Sequence, residues 1–165
     1  MTHYRWPALA ILGITLAACS KGASKTSGAA PASSAVVVGN ACDRKLLTQA
    51  DVADLLGAPV TETRTLPGDP QSCEFVTAGL NSVTVTLRPG VGDMTVQTWL
   101  DGKMPVSAAP LSGVGDRAAW VTELSEVVST KGNVLCDIQA RVGGGAKAAQ
   151  QTTVGALCNK IFAAG

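Results

Sequence analysis

Four cysteines after residue 40 constrain the fold of this chain more than any other feature. They are Cys42, Cys73, Cys136 and Cys158. None of them belongs to a C-x-x-C pair, the spacing that is typical of zinc and redox sites. An even number of such cysteines indicates structural disulfides when a chain folds in an oxidising compartment. The N-terminal segment decides whether this chain reaches one.

The N-terminal segment has the pattern of an export signal. Residues 1–7 carry one charge, Arg5, and residues 8–18 are an unbroken apolar run. The run is too short to cross a bilayer as a helix, which takes about 20 residues. It has the length of the apolar region of a secretory signal, about 7–15 residues. We therefore expect the chain to be exported and its cysteines to be oxidised.

The apolar run ends in Leu16, Ala17, Ala18 and Cys19, an ending that resembles the lipobox of bacterial prolipoproteins. The resemblance implies lipidation of the Cys19 sulfur, cleavage after Ala18 by a signal peptidase, and palmitate-type acylation by lipid-transfer machinery. Two or three acyl chains, at about 0.8 kcal/mol per buried CH₂, anchor a protein stably to a membrane. The lipobox resemblance also implies a location in the bacterial cell envelope. In a Gram-negative cell, Ser20 would direct the protein to the periplasmic face of the outer membrane. The alternatives are an ordinary secretory signal or an uncleaved anchor.

The sequence divides into three parts. Residues 1–18 are the predicted lipoprotein signal peptide, and residues 19–40 are the lipidated cysteine and a Ser/Ala/Gly-rich flexible tether. Residues 41–165 are predicted to form one domain with a single core.

The predicted mature chain, from Cys19 onward, contains no histidine. The sole histidine of the full chain, His3, leaves with the signal peptide, which excludes Ser-His-Asp and Cys-His catalysis and nearly all histidine metal sites. We therefore predict no enzyme activity, no metal and no cofactor. The chain has 13 basic and 12 acidic side chains before cleavage removes Arg5, so a nearly neutral domain gives no reason to bind nucleic acid.

One motif resembles a dinucleotide-binding fingerprint. Residues 113–118 match G-x-G-x-x-A, but a dinucleotide site needs this motif between a strand and the helix that follows it. Here a proline-containing loop precedes the motif and a strand follows. We interpret it as a tight turn.

The hydrophobic pattern predicts three helices and six strands. The first helix has Thr48 as N-cap, Asp51 at N3 and Gly57 as its end. The second covers residues 92–104 with Asp93 as cap, and the third covers residues 146–163. Strands are predicted at residues 60–66, 72–77, 82–88, 117–122, 125–130 and 133–142. This order, α-βββ-α-βββ-α, predicts an α+β fold: an antiparallel sheet with helices packed on one face.

The domain also resembles a family of small bacterial envelope lipoproteins of unknown function, best known from actinobacteria. The matching features are a cysteine before "LLTQADVADLLGAPV", a second in "SCEF", and "LSGVGDRAAW" leading into a strand. The resemblance implies no activity. Some lipoprotein domains with a similar element order have the PsbP/Mog1-like fold.

The predicted disulfides are Cys42–Cys73 and Cys136–Cys158. Cys136 lies on the apolar face of the last strand and Cys158 on the apolar face of the helix after it, while Cys42 precedes the first helix. The rival pairing is Cys42–Cys158 with Cys73–Cys136, because the two ends of a domain often lie close together.

Two further residue sets have a structural and a functional interpretation. The carboxylate pairs Asp51/Asp54 and Glu123/Glu126 are predicted to be solvated surface. Trp99 and Trp120 are core-filling residues by default; a ligand groove, if there is one, would combine these tryptophans with the loop of residues 104–116.

The sequence predicts a membrane-anchored envelope lipoprotein with a non-enzymatic domain that binds or assembles with an envelope protein partner. The alternative is a carrier of a small apolar ligand or lipid, which would need a cavity of several hundred Å³ behind the sheet. A hydrolase would need a catalytic constellation that this sequence lacks.

Overall fold

A computed structural model of the chain describes residues 39–143 and 147–165. The predicted signal peptide, the lipidation site Cys19 and nearly all of the predicted tether lie outside these residues. The described part begins at the domain boundary. There the buried Asn40 donates from its side-chain amide to the Thr65 hydroxyl at 3.1 Å and to the Pro70 carbonyl at 2.9 Å.

The described residues form an antiparallel sheet of seven strands and three helices. The strands are β1 (Val60–Leu66), β2 (Asp69–Thr77), β3 (Ser82–Pro89), β4 (Ala108–Pro110), β5 (Arg117–Val121), β6 (Glu126–Lys131) and β7 (Val134–Arg141). The helices are α1 (Gln49–Leu56), α2 (Gly92–Leu100) and α3 (Lys147–Ala164). The spatial order of the strands is β1-β2-β3-β7-β6-β5-β4, so β7 joins the two halves of the sheet. The predicted α+β class is confirmed.

The second half of the sheet contains one strand more than predicted. β4 lies within the loop expected at residues 104–116, and Pro110 pairs with Ala119 of β5. A three-residue strand that ends in proline has no alternating pattern to reveal it, so its formation depends on the neighbouring strand.

The helices lie on both faces of the sheet, not on one face as expected. Trp120 of β5 points into the main core under α1 and α3, whereas its neighbours Ala119 and Val121 pack against Val96 and Trp99 of α2. β5 and β6 are buried on both faces, and only Arg117 at the start of β5 and Lys131 at the end of β6 are exposed. A second layer must cover the other face of these strands, and α2 provides it.

The first helix forms as its local sequence predicts. The Thr48 hydroxyl accepts from the Asp51 amide at 3.3 Å, and the Asp51 carboxylate accepts from the Thr48 amide at 2.7 Å, which completes a capping box. Gly57 ends the helix in the left-handed conformation, at φ 67°. Val52 and Leu56 of this helix are buried in the main core.

Two disulfides tie chain segments to the sheet. Cys42 is joined to Cys73 of β2 with a Cα–Cα distance of 5.3 Å, and Cys136 of β7 is joined to Cys158 of α3 with a distance of 6.0 Å. This is the pairing predicted from the sequence. The bonded cysteines are 31 and 22 residues apart in the sequence. For loops of these lengths the chain-entropy relation gives about 3.7 and 3.4 kcal/mol of stabilisation.

The G-x-G-x-x-A segment is a turn that holds α3 against the sheet. The Asn159 side chain on α3 donates to the Gly113 carbonyl at 2.7 Å and accepts from the Gly115 amide at 3.0 Å. The Asp116 amide donates to the Thr130 carbonyl of β6 at 2.7 Å. The segment follows a loop and leads into β5, and Gly115 permits a close contact with the β6 backbone.

Substitution of Gly115 should therefore be far more costly than substitution of Gly113. A Cβ at Gly115 would lie 2.3 Å from the Thr130 carbonyl oxygen and 2.6 Å from the Ser129 hydroxyl, at φ +56°, whereas a Cβ at Gly113 meets nothing within 4 Å, at φ +77°. Both alanine variants carry the cost of a positive φ, about 1–2 kcal/mol. We expect Gly115→Ala to lose about 3 kcal/mol or more in the free energy of unfolding, measured by urea denaturation. Equal losses in the two variants would contradict the close contact.

Candidate functional site

The structure does not bring the two tryptophans of the predicted groove together. Trp99 packs with the residues under α2, and Trp120 packs with the main core on the opposite face of the sheet. Only 9% of Trp99 and 5% of Trp120 is exposed. The predicted groove containing both side chains is therefore corrected: each indole fills a separate core, and Trp99 alone also borders a surface cleft.

This cleft, called the α2 cleft below, is the best candidate for a binding site. Its volume is about 640 Å³, and it lies outside α2, not in the interior behind the sheet. Its described lining comes from the β3–α2 connection, the outer side of α2, the segment after α2 and the β6–β7 turn: Gly90, Val91, Gly92, Asp93, Thr95, Thr98, Trp99, Met104 and Asn133.

Backbone geometry at the start of α2 shapes the cleft. Gly90 adopts φ 84° and its amide donates to the Asn133 carbonyl at 2.8 Å, which holds the β3–α2 connection against the β6–β7 turn. Gly92 also has a positive φ, of 23°. The intervening Val91 remains 41% exposed. Two glycines thus allow the sharp turn that presents this valine side chain to solvent.

Asp93 does not cap α2 as expected. The N-cap is Val91, which makes no side-chain capping bond, and the Asp93 carboxylate instead accepts from the Thr130 hydroxyl of β6 at 2.8 Å. This bond fixes the first turn of α2 on the sheet. Asp93 is the ionisable side chain among the described lining residues, so the cleft combines an apolar wall of Val91, Trp99 and Met104 with a single carboxylate.

A second cluster, the carboxyl pair of Glu126 and Asp137, lies on the face of the sheet that α2 covers. Glu126 was expected to be solvated with Glu123, but it begins β6 and is only 6% exposed. Glu126 pairs with Gln139 and Val128 pairs with Asp137, so the two carboxyl groups are diagonal neighbours on adjacent strands. Their face could be assigned only once the register of β6 and β7 was known.

Burial sets the protonation of the carboxyl pair. Burial and the adjacent Asp137 raise the pKa of Glu126 to about 8. Burial also raises the pKa of Asp137, to about 6, although a hydrogen bond from Glu126 and the charge of Arg88 act in the opposite direction. At neutral pH the pair therefore holds one proton between its two carboxyl groups.

The carboxyl pair continues into a row of polar side chains on β3 and β2. Thr86 lies opposite Asp137 in the register, and its hydroxyl is 2.6 Å from the Ser72 hydroxyl. Ser72 donates to Asp69 at 2.8 Å, and Arg88 lies 3.6 Å from the same carboxylate. Because these groups satisfy one another inside the fold, we assign the row to structure, and neither carboxyl of the pair lines the α2 cleft.

Two further findings limit the chemistry of the described residues. Within residues 39–143 and 147–165, no group of three or more His, Cys, Asp or Glu side chains is placed to hold a metal ion. None of the helices in these ranges combines the length and apolar character needed to cross a bilayer.

No protein-family model matches the chain, and neither a curated protein nor a solved structure matches it. The resemblances to envelope lipoproteins and to the PsbP/Mog1-like fold therefore stay predictions from the sequence.

The carboxyl pair predicts that the domain loses stability as the pH rises. A group whose pKa is raised by folding stabilises the fold below its unfolded pKa and loses that contribution as the pH passes through the folded value. For Glu126 the pKa rises from 4.5 to about 8 on folding, so its contribution to stability is lost across this pH range. We expect the melting temperature of the wild type to fall between pH 5 and pH 9, and Glu126→Gln to fall less.

Glu123→Gln, at an exposed position three residues earlier, is the matched control and should follow the wild-type profile. Parallel profiles for Glu126→Gln and the wild type would show that the buried pair does not hold a proton.

Proposed function

We propose that this chain is a lipid-anchored protein of the bacterial cell envelope, and that its domain binds an envelope partner through the α2 cleft without catalysing a reaction. The α2 cleft is the observation that carries the proposal. Its volume of about 640 Å³ lies in the range of known ligand sites, about 300–1,000 Å³. The exposed Val91 at its rim supports recognition of an apolar group.

The anchor half of the proposal rests on the sequence around Cys19. The tether between Cys19 and Asn40 is rich in small and polar residues. A chain of this composition and length has an r.m.s. span of about 25 Å. The domain would therefore stay within reach of the membrane surface and of proteins embedded in it.

The binding half rests on the chemistry of the cleft lining. Val91, Trp99 and Met104 offer an apolar wall, and the thioether of methionine adapts to ligands of different shape. Asn133 and Asp93 add a polar rim that would orient a bound segment. We propose that the occupant is an apolar side chain or short segment of an envelope protein, flanked by hydrogen-bond donors.

A second candidate function is carriage of a small apolar molecule. The cleft volume favours it, since a cleft of this size holds one small ligand. The cleft lies outside α2 and not behind the sheet, so a bound molecule would stay partly exposed. For this reason we place carriage second.

The anchor can be tested with Cys19→Ala. Without the thiol no thioether can form, so the variant should accumulate as an unlipidated precursor or a soluble product, and leave the detergent phase in Triton X-114 partitioning. Ser20→Ala is the matched control and should partition as the wild type does. Full retention of Cys19→Ala in the detergent phase would exclude the lipoprotein assignment.

The cleft can be tested with a photo-crosslinking amino acid at Thr95, used in the native bacterium and followed by mass spectrometry. We expect one dominant envelope partner, and a loss of at least tenfold in its crosslinked yield when Val91→Asp places a charge at the apolar rim. The control is Leu80→Asp at the β2–β3 turn, where another apolar side chain is 83% exposed. It should leave the yield unchanged.

Two results of the same experiment separate the alternatives. Equal yields in the Val91 and Leu80 variants would contradict binding at the cleft. A small molecule that native mass spectrometry finds on the wild-type protein, and that Val91→Asp releases, would favour the carrier function.

A further inference from the structure

The two edges of the sheet differ in their capacity to pair with another strand. β4 is three residues long and ends in Pro110, which cannot donate a backbone hydrogen bond. β1 is seven residues long, contains no proline, and is exposed from residue 61 to residue 65. Within residues 39–143 and 147–165 no strand pairs with the outer side of β1. An edge strand of this kind offers its backbone amides and carbonyls to a second strand.

The sequence of β1, VTETRTL, is complementary to itself. When two copies run antiparallel about Thr63, Glu62 of each lies directly opposite Arg64 of the other. Two opposite-charge pairs then flank the two-fold axis, and opposite charges at facing positions stabilise strand pairing. Within one chain the Arg64 guanidinium already donates to the Glu62 carboxylate at 3.1 Å. About half of each side chain is still exposed, 52% for Glu62 and 50% for Arg64, so the facing pairs of a second copy would extend this ion pair across the edge.

The interior of β1 is regular enough for this pairing. Glu62 to Thr65 pair one-to-one with β2, and the irregularities lie at the two ends of the strand. Arg64 is already held by Glu74 of β2, with nitrogen–oxygen distances of 3.0 and 2.8 Å. Its guanidinium is thus fixed beside the edge before a second copy arrives.

The pleat selects the same register. Glu62 and Arg64 lie on the face away from α1, while Thr63 lies on the α1 face, where Gln49 donates to its hydroxyl at 3.4 Å. Pairing about Thr63 keeps these faces aligned, so the helices α1 and α3 of both copies stay on one side. A shift by one residue would place the helix face of one copy beside the opposite face of the other.

We infer that β1 is a homodimer interface, at which two copies of this chain pair antiparallel about Thr63 and join their sheets into one. The pairing involves few residues and is smaller than the roughly 800 Å² per partner of stable complexes. The dimer is therefore weak in dilute solution. Its occupancy rises where the anchor of the proposed function confines the chain to a membrane, because tethering raises the effective concentration.

Site-specific disulfide trapping tests this register. With the full-length chain, Thr63→Cys should give a disulfide-linked dimer under mild oxidation, since the two Thr63 Cβ atoms would lie about 4.5–5.5 Å apart. The matched control is Thr61→Cys, another exposed threonine of β1, whose two copies would be offset by about 13 Å along the strands. We expect at least tenfold more dimer from Thr63→Cys, both in membranes and at high concentration in solution.

Charge reversal gives the second arm. In chains carrying Thr63→Cys, Glu62→Arg alone or Arg64→Glu alone should lower the dimer yield at least tenfold, because like charges then face each other. An equimolar mixture of the two variants should restore it, because every facing pair is again of opposite charge. Melting temperatures show whether each variant is folded. Arg64→Glu also removes the bonds between Arg64 and Glu74 and could lower the dimer yield by weakening β1 itself. Recovery of the yield in the mixture, which contains the same variant, would exclude that explanation.

Three outcomes would overturn the inference. The first is equal dimer yields from Thr63→Cys and Thr61→Cys, and the second is a dimer yield that the charge variants leave unchanged. The third is a link between Thr63→Cys and a cysteine placed at Val37 of the same chain, because the apolar run of residues 36–38 would then pair with β1 in place of a second copy. The measurement in solution does not depend on the anchor. Failure of the lipoprotein proposal would appear in detergent partitioning of Cys19→Ala and would leave this result intact.

Discussion

The disulfide between Cys136 and Cys158 joins the central strand of the sheet to the C-terminal helix, and the other layers depend on this junction. α3, held in place over β6 and β7, presents Asn159 to the turn before β5 and Lys160 to Asp51 of α1. The ion pair with Lys160, together with the capping bonds to Thr48, lowers the pKa of Asp51 to about 2. One capping residue thus links the two helices that cover the main core.

The two faces of the sheet differ in the polarity of their buried side chains. The face under α1 and α3 holds the larger apolar cluster, in which the buried Ser129 hydroxyl bonds to the Val114 and Arg117 carbonyls. On the other face the apolar cluster is confined to residues that pack with α2. Next to the apolar part lie Glu126 and Asp137, and beyond them the hydroxyl row through Thr86. Two buried ionised carboxylates would be strongly unfavourable, but a shared proton leaves one charge, which Arg88 partly offsets.

Local sequence predicted those parts of the fold that local interactions determine. The capping box at Thr48, the left-handed Gly57 and the strict alternation in β3 needed no knowledge of distant residues. The side of the sheet taken by α2 and the burial of Glu126 depend on strand register, which pairs residues far apart in sequence. The α2 cleft was missed for the same reason, since Asn133 reaches it only through the β6–β7 turn.

The α2 cleft and the β1 edge lie at opposite ends of the sheet, because α2 packs on β4 to β7 and β1 is the far edge strand. Pairing through β1 would leave the cleft open in both copies. A two-fold assembly would then carry two equivalent clefts on one membrane surface. Bivalent engagement of this kind multiplies weak binding at each cleft without any new contact. A partly apolar cleft and a weak, self-complementary edge would therefore act together if the proposed lipid anchor confines the chain to a membrane, because confinement would supply the affinity that each surface lacks alone.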